Sequence, residues 1–136
     1  MDIGFSTEER QFRAQVRDWL ADNVPLEKRP LEAVDALAFD KDWQRTQFDG
    51  GWAGISWPTA YGGRGLSLIE QVIWYEEYAR AHAPWIGANF VGINHGGPTL
   101  MANASEVQKA YHLPRILKGD VVWCQGFSEP GAGSDL

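Results

Sequence analysis

The chain has 136 residues, the usual size of one domain, and its 44% hydrophobic and 22% charged residues are ordinary for a globular protein. Its 12 basic residues are outnumbered by 18 acidic ones and form no cluster, which argues against nucleic-acid binding. One cysteine excludes an internal disulfide, and neither a secretory signal nor a bilayer-spanning apolar run is visible, so we expect a cytoplasmic protein without a membrane span.

Two helices are predicted before residue 50. Ser6 and Glu9 form a capping box, in which the serine caps free backbone N–H groups and the glutamate reaches back. Pro25 ends this helix, and a second helix follows Pro30 and ends at Gly50. Residues at helical spacing form an apolar stripe on each. They are Phe12, Val16, Trp19 and Leu20 on the first, and Leu31, Val34, Leu37, Ala38 and Phe39 on the second, with Trp43 later.

The segment 51–65 is rich in glycine and also holds a proline, which oppose a regular helix. Its large apolar side chains are costly to leave in water, so we expect an ordered loop rather than a flexible linker. Those side chains are Trp52, Ile55, Trp57 and Tyr61.

Further helices are predicted up to Gly119, which stands where a C-terminal cap is expected. A second capping box, Ser67 with Glu70, begins a helix that should reach about residue 82. Residues 85–103 are apolar and small, with an interrupting Gly-Gly-Pro, and indicate a buried, bent helical segment. Ser105 begins the last helix. On the helix from Ser67, we interpret Glu76 and Glu77 as a solvated face.

The pattern changes after Gly119. Residues 121–124 are β-branched and aromatic, which predicts a strand, with Cys124 as a small buried residue. A single strand has no partner to pair with, so we expect the sequence to continue beyond this piece. The three histidines are spaced too irregularly for a metal site, and no metal is predicted. His95, beside Asn94 and Gly96, is the one histidine that we consider as a functional candidate.

Residues 126–135, GFSEPGAGSD, carry the strongest functional signal. Gly131 and Gly133 allow sharp bends and close approach to a ligand, and consecutive N–H groups in such a loop suit an anion. Ser128 and Ser134 add hydroxyl donors. The residues alone leave binding of a phosphate-bearing cofactor and a ligand-free turn equally open. Glu129 is interpreted as fixing the turn, and no catalytic residue is predicted.

The segment WCQGFSEPGAGSD resembles the flavin-site motif of the acyl-CoA dehydrogenase family. The passages FSTEERQFRAQVRDWL, GWAGISWPTAYGGRGLS, YEEYAR and QKAYHLPRILKGD are similar to family segments in the same order, although Arg64 replaces a common glycine. The resemblance implies an all-α N-terminal domain over residues 1–119. Residues 120–136 would then be the first strand and flavin-site loop of a β-domain, ahead of a C-terminal helical bundle.

The same resemblance implies FAD as cofactor, an acyl-CoA substrate and an electron-transfer flavoprotein as electron acceptor. By matching positions, the residues against FAD are Gln125, Gly126, Phe127, Ser128, Gly133 and Ser134. Ser134 and Val91 match positions at the substrate, and the small residues around Val91 favour a bulky or branched acyl group. The family's catalytic glutamate base would lie beyond Leu136.

The resemblance to this family leaves three alternatives for the function of the protein. The chain is part of a dehydrogenase that oxidises acyl-CoA to enoyl-CoA in fatty-acid or lipid degradation, forming a homodimer, homotetramer or heterotetramer. In the second alternative, the chain is a non-catalytic subunit that pairs with an unlike chain and lacks the glutamate. The third alternative is a related flavin oxidase, such as an acyl-CoA oxidase or a nitroalkane oxidase.

Overall fold

The structure, a computed structural model, describes residues 4–127 and Gly131. The α-helices are α1 (Thr7–Asn23), α2 (Ala33–Asp49), α3 (Leu68–Arg80), α4 (Gly97–Asn103) and α5 (Glu106–Lys118). Short 3-10 turns occur at Thr59–Tyr61 and Gly87–Asn89, and a π-helical turn, Gly92–Gly96, runs directly into α4. The predicted all-α fold is confirmed. None of the described helices has both the length and the apolar character needed to cross a bilayer.

Three helices begin at a serine, as their capping signals predict. Ser6, Ser67 and Ser105 each accept a hydrogen bond from the backbone three residues later, and the side chain at that third position returns the bond. Gly119 ends α5 in the left-handed conformation, with φ +71°, which costs glycine less than any other residue. Local sequence therefore sets both ends of α5.

Helix α2 buries a different face from the apolar one. Leu31 and Val34 are 99% and 80% exposed, so the apolar stripe of this segment faces solvent. The buried positions are Ala36, Asp40, Trp43, Gln44 and Gln47, which share the opposite side of the helix. This face wins because α5 and the turn at Gly87–Asn89 pack against it and supply hydrogen bonds to its polar groups.

The core has two parts, joined by the loop at 51–65. One part, which we call the aromatic half, comprises α1, α3 and a cluster formed by Val16, Leu20, Trp52, Ile55 and Trp74. The other, the aliphatic half, comprises α5, the π-helical turn and a cluster formed by Ala53, Trp57, Ile93, Leu113, Ile116 and Leu117. Neighbouring loop residues thus enter opposite halves, which confirms the prediction of an ordered, aromatic-pinned loop.

The interpretation of Glu77 as a solvated residue is wrong. Its side chain is 3% exposed and binds Arg13 at 2.7 Å and Arg17 at 2.9 Å, both from α1, and Arg80 from its own helix. Glu76, with a side chain 45% exposed, adds an ion pair with Arg13. The hydrogen bond from Arg17, with a second from Arg13, lowers the pKa of Glu77 to about 2 despite its burial. Charge therefore joins α1 to α3 at the edge of the aromatic half.

The strand predicted at 121–124 does not form among the described residues. Residues 122–127 have no regular secondary structure, because nothing in the described part of the chain forms a second strand with which they could exchange backbone hydrogen bonds. Cys124 is exposed rather than buried. Trp123 is the residue of this stretch that is packed rather than exposed, since its ring lies against α5 and the π-helical turn.

Candidate functional site

Two of the sequence candidates, Val91 and His95, lie within residues 87–96, which we call the wall segment. Gly87 takes a left-handed conformation with φ +56°, and the 3-10 turn at Gly87–Asn89 then leads into the π-helical turn. A π-helical turn places its side chains out of the ordinary helical register and is common at functional sites. The π-helical turn ends at Gly96, the first residue of the Gly-Gly-Pro sequence at which a bend is predicted.

One face of the wall segment lines a cavity of roughly 300 Å³, which we call the aromatic cavity. Phe90, Ile93 and Asn94 lie on that face, and Ile86, which directly precedes the wall segment, also lines the cavity. Large rings complete the lining: Trp52, Trp74, Tyr75, Tyr78 and Trp85. A concave, mainly apolar site of this size with a few polar groups is what small-molecule binding requires.

The rings of the aromatic cavity are held in place by their neighbours. Trp52 and Trp74 stack with centroids 4.7 Å apart, and the Trp43 indole N–H donates to the Tyr78 hydroxyl at 2.6 Å. Burial raises the pKa of Tyr78 to about 12, so its hydroxyl stays protonated and donates to the carbonyl of Pro84. Trp85 and Phe90, by contrast, stack on one another and are exposed by 67% and 39%. The floor of the cavity is therefore rigid and its rim open.

The aromatic cavity also holds polar groups. Gln44 and Gln47 from α2 line it, together with Ser56 and Asn94. The amide of Gln44 donates to the carbonyl of Leu117 at 2.7 Å, which fixes its side chain between α2 and α5. These groups supply hydrogen bonds within an otherwise apolar lining.

A second face of the wall segment consists of glycines and receives Trp123. A Cβ built on Gly96 would lie 3.0 Å from the Trp123 ring, and one built on Gly92 would lie 3.1 Å from Ile116. The edge of the His112 ring packs on Trp123 from α5, with ring centroids 5.6 Å apart. Trp123 thus attaches residues 122–127, which we call the tail, to the wall segment. The prediction of a strand missed this contact.

The tail carries the first of the predicted flavin residues. Gln125, Gly126 and Phe127 are all exposed, Phe127 by 82%, and nothing lies within 4 Å of a Cβ built on Gly126. They follow Trp123, whose ring packs on the wall segment, by two to four residues. Ser128, Gly133, Ser134 and Glu129 lie outside the described residues.

Val91, the other predicted substrate residue, is half-buried on the wall segment and is not part of the aromatic cavity. His95, one turn later, is exposed and packs edge-on against the ring of Phe90. Within the described ranges, no group of three metal-ligating side chains comes together.

Sequence reasoning missed one polar residue behind the wall segment. Asp40 is 3% exposed and accepts a hydrogen bond from the backbone N–H of Ala88 at 2.8 Å. A signal for it exists, because Ala36, Asp40, Trp43 and Gln47 recur at helical spacing and form a stripe that includes polar residues.

These features define a helical domain with a ligand-sized apolar cavity on one face of the wall segment and an exposed tail attached to another. Residues 6–120 match the family model described as the acyl-CoA dehydrogenase N-terminal domain. The chain belongs to the acyl-CoA dehydrogenase family.

Its relatives include acyl-CoA dehydrogenase IpdE1 of Mycobacterium tuberculosis, 44% identical over 93% of this chain and 34% of the relative. Isovaleryl-CoA dehydrogenase of Pongo abelii is 30% identical over 98% of this chain and 31% of that protein. The chain therefore spans about a third of the length of these relatives.

Two solved structures share the fold over nearly the whole chain. The ChsE4-ChsE5 complex from Mycobacterium tuberculosis superposes with a TM-score of 0.74 at 36% identity, over 99% of this chain and 34% of the solved chain. A structure described as the Tcur3481-Tcur3483 steroid ACAD gives a TM-score of 0.75 at 35% identity, over 99% and 35%.

Proposed function

We propose that this chain is the N-terminal part of a flavin-dependent acyl-CoA dehydrogenase that converts an acyl-CoA thioester to the α,β-enoyl-CoA. Residues 1–119 form its helical domain, and residues 120–136 begin its β-domain. The observation that carries the proposal is the family match over residues 6–120, which includes the helices around the aromatic cavity. The glutamate base of the reaction lies outside these residues.

FAD fits the part of its proposed site that the structure describes. Phe127 offers an exposed aromatic face, and the open space around Gly126 allows the backbone to approach a ligand closely. Gln125, Ser128, Gly133 and Ser134 complete the proposed contacts by their match to the family motif. FAD bound here would supply the acceptor for the hydride that leaves the β-carbon of the substrate. The residues of this chain hold and orient it, and Trp123 fixes where their segment leaves the helical domain.

For the substrate, we propose an acyl-CoA whose acyl group is bulky and contains rings. Val91 and Ser134 contact it, and the distal part of the acyl group enters the aromatic cavity, where flat apolar rings match flat apolar walls. The relative described as a steroid ACAD supports this choice over a short branched acyl group. The polar residues Gln44 and Gln47 would bond an oxygen on the ring system.

The electrons leave to an electron-transfer flavoprotein, and the protein acts in the cytoplasm as a dimer or tetramer. A second candidate, a non-catalytic subunit of a heteromer, is favoured by one observation: a solved relative is the complex of two named chains, ChsE4 and ChsE5.

The proposal is tested with the purified flavoprotein that contains this chain. We expect yellow protein whose flavin absorbance bleaches without oxygen when 3-cyclohexylpropanoyl-CoA, a ring-bearing acyl-CoA, is added. Bleaching that appears only after an unlike partner chain is added would select the second candidate. Rapid return of the colour in air would indicate an oxidase, and flavin that never bleaches with any acyl-CoA would reject dehydrogenation.

The flavin site has its own test, Gly133→Val. A branched side chain blocks close approach of the backbone, so FAD occupancy should fall by at least about ten-fold while helical circular dichroism stays unchanged. Ala102→Val, on the exposed side of α4, is the matched control and should bind FAD normally. Full flavin loading in Gly133→Val would place the cofactor elsewhere.

A further inference from the structure

Asp40 joins three separate parts of the chain through one buried carboxylate. Arg29, in the connection between α1 and α2, donates to it twice, from Nε at 2.6 Å and from Nη2 at 2.8 Å. Ala88, at the start of the wall segment, donates its backbone N–H at 2.8 Å. The Asp40 side chain is fully buried, whereas that of Arg29 is 43% exposed. The buried carboxylate therefore holds the Arg29 guanidinium and the Ala88 backbone N–H in place.

The wall segment is fitted to Asp40 in two further ways. The side-chain amide of Asn89 donates to the backbone carbonyl of Asp40 at 3.0 Å, so two consecutive residues bond one residue of α2. Gly87 approaches so closely that an added Cβ would lie 2.2 Å from the carboxyl carbon of Asp40. Its φ of +56° also disfavours any other residue. The first turn of the wall segment is thus specified by contacts with one carboxylate and one carbonyl.

Asp40 remains charged in this setting. Burial acts to raise the pKa of its carboxyl group, but the hydrogen bonds from Arg29 and from the Ala88 N–H outweigh burial and lower the pKa. A charged acceptor makes a stronger bond to a backbone N–H than a neutral one does. The bond that holds Ala88 is therefore a strong one.

The position of this first turn determines the position of the cavity lining. Phe90, Ile93 and Asn94 follow Ala88 by two to six residues within continuous helical structure, and all three line the aromatic cavity. A shift at Ala88 would be carried to them, since a helical turn moves as a unit.

We propose that Asp40 is a positioning residue that sets the width of the aromatic cavity and thereby the preference of the enzyme for the acyl group. This inference rests on the proposed function, because it takes the aromatic cavity as the place of the distal acyl group. Asp40 itself touches neither substrate nor cofactor in this assignment. It acts through Ala88 and Asn89 on the wall segment.

The experiment compares Asp40→Ala, Asp40→Asn and Asp42→Ala in the complete flavoenzyme. Asparagine keeps an oxygen that accepts from Ala88, whereas alanine keeps none. Asp42 is an exposed carboxylate on the same helix and serves as the matched control. Two readouts are needed: the ratio of kcat/KM for 3-cyclohexylpropanoyl-CoA to that for octanoyl-CoA, and the hydrogen–deuterium exchange rate of the Ala88 amide.

For Asp40→Ala we expect the ratio to change by about ten-fold, the scale of discrimination by pocket shape. The Ala88 amide should exchange at least about ten-fold faster. Asp40→Asn should keep the ratio within about two-fold of the wild type, and Asp42→Ala should change neither readout. A merely structural role predicts equal loss for both substrates. If Asp40→Ala does not load flavin, Gly87→Ala replaces it, since its added Cβ displaces the wall segment while Asp40 and Arg29 remain.

An unchanged ratio in a folded, flavin-loaded Asp40→Ala or Gly87→Ala enzyme would overturn the proposal, as would an unchanged exchange rate in Asp40→Ala. If the wild-type flavoenzyme oxidises neither substrate, the proposed function fails instead. The exchange measurement then still decides whether Asp40 holds the wall segment.

Discussion

The aromatic and aliphatic halves of this domain are held together by different forces. In the aromatic half, tryptophan rings stack and a buried carboxylate, Glu77, joins α1 to α3 through arginines. In the aliphatic half, α5 and the wall segment interlock through close packing, with Trp57 filling the space beside Gly97. The loop at 51–65 supplies rings to both. The difference shows that one short glycine-rich loop can join a half that contains a buried ionic contact to a half that is held by close packing.

The largest effect is expected for Trp57→Ala, which removes the central ring of the aliphatic half. Trp57 is 2% exposed, and its indole N–H donates to the carbonyl of Ile93 at 2.9 Å. The cavity and the unpaired carbonyl should lower the free energy of unfolding by about 4 kcal/mol. Chemical denaturation measures this, with the exposed Trp85→Ala as control. A loss below about 1 kcal/mol would mean that packing does not hold this half.

The corresponding test in the aromatic half is Glu77→Gln. It leaves Arg17 without this charged partner and Arg13 with only the more exposed Glu76, and we expect a loss of about 3 kcal/mol. Glu76→Gln is the neighbouring control; its carboxylate is 45% exposed and should contribute at most about 1 kcal/mol. Equal losses in the two variants would show that burial of Glu77 adds nothing.

Acid should weaken the two halves unequally. The pKa of Glu77 is lowered from 4.5 to about 2, so its stabilisation is complete above pH 4.5 and is lost as the pH falls towards 2. Over that range wild type should lose on the order of 3 kcal/mol more than Glu77→Gln does. Asp40 has a lowered pKa as well and contributes in the same direction in both proteins. Parallel pH profiles would disprove the role of Glu77.

The smallest effects are expected at the helix caps, and there the halves should agree. Ser6→Ala at α1 and Ser105→Ala at α5 each remove one capping box and should cost about 1 kcal/mol. Ser56→Ala, an exposed serine within the loop, is the control. Thermal unfolding midpoints of the three variants would measure these costs. A much larger cost at one cap would mean that the serine has a second, tertiary role.

Some of the candidate site was predictable. The segment 85–103 was predicted to be helical, bent and buried. Helical structure does run from Gly87 to Asn103 by way of the π-helical turn, but the segment is only partly buried, since Trp85 and Phe90 are exposed by 67% and 39%. The assignments of Gln125, Gly126 and Phe127 to FAD and of Val91 to substrate remain predictions. Asp40, Glu77 and Trp123 were missed or misjudged, since each acts through partners far away in the sequence: Ala88 for Asp40, Arg13 for Glu77 and Gly96 for Trp123.

The sequence by itself determined the helix starts at Ser6, Ser67 and Ser105 and the stop at Gly119, because capping bonds join residues within one turn. It also determined that the loop at 51–65 is ordered, because its rings are too costly to expose. Only the tertiary structure decided which face of α2 is buried. That face carries Asp40 and Gln44, whose burial becomes favourable when Ala88 and Leu117 arrive from distant segments to bond them.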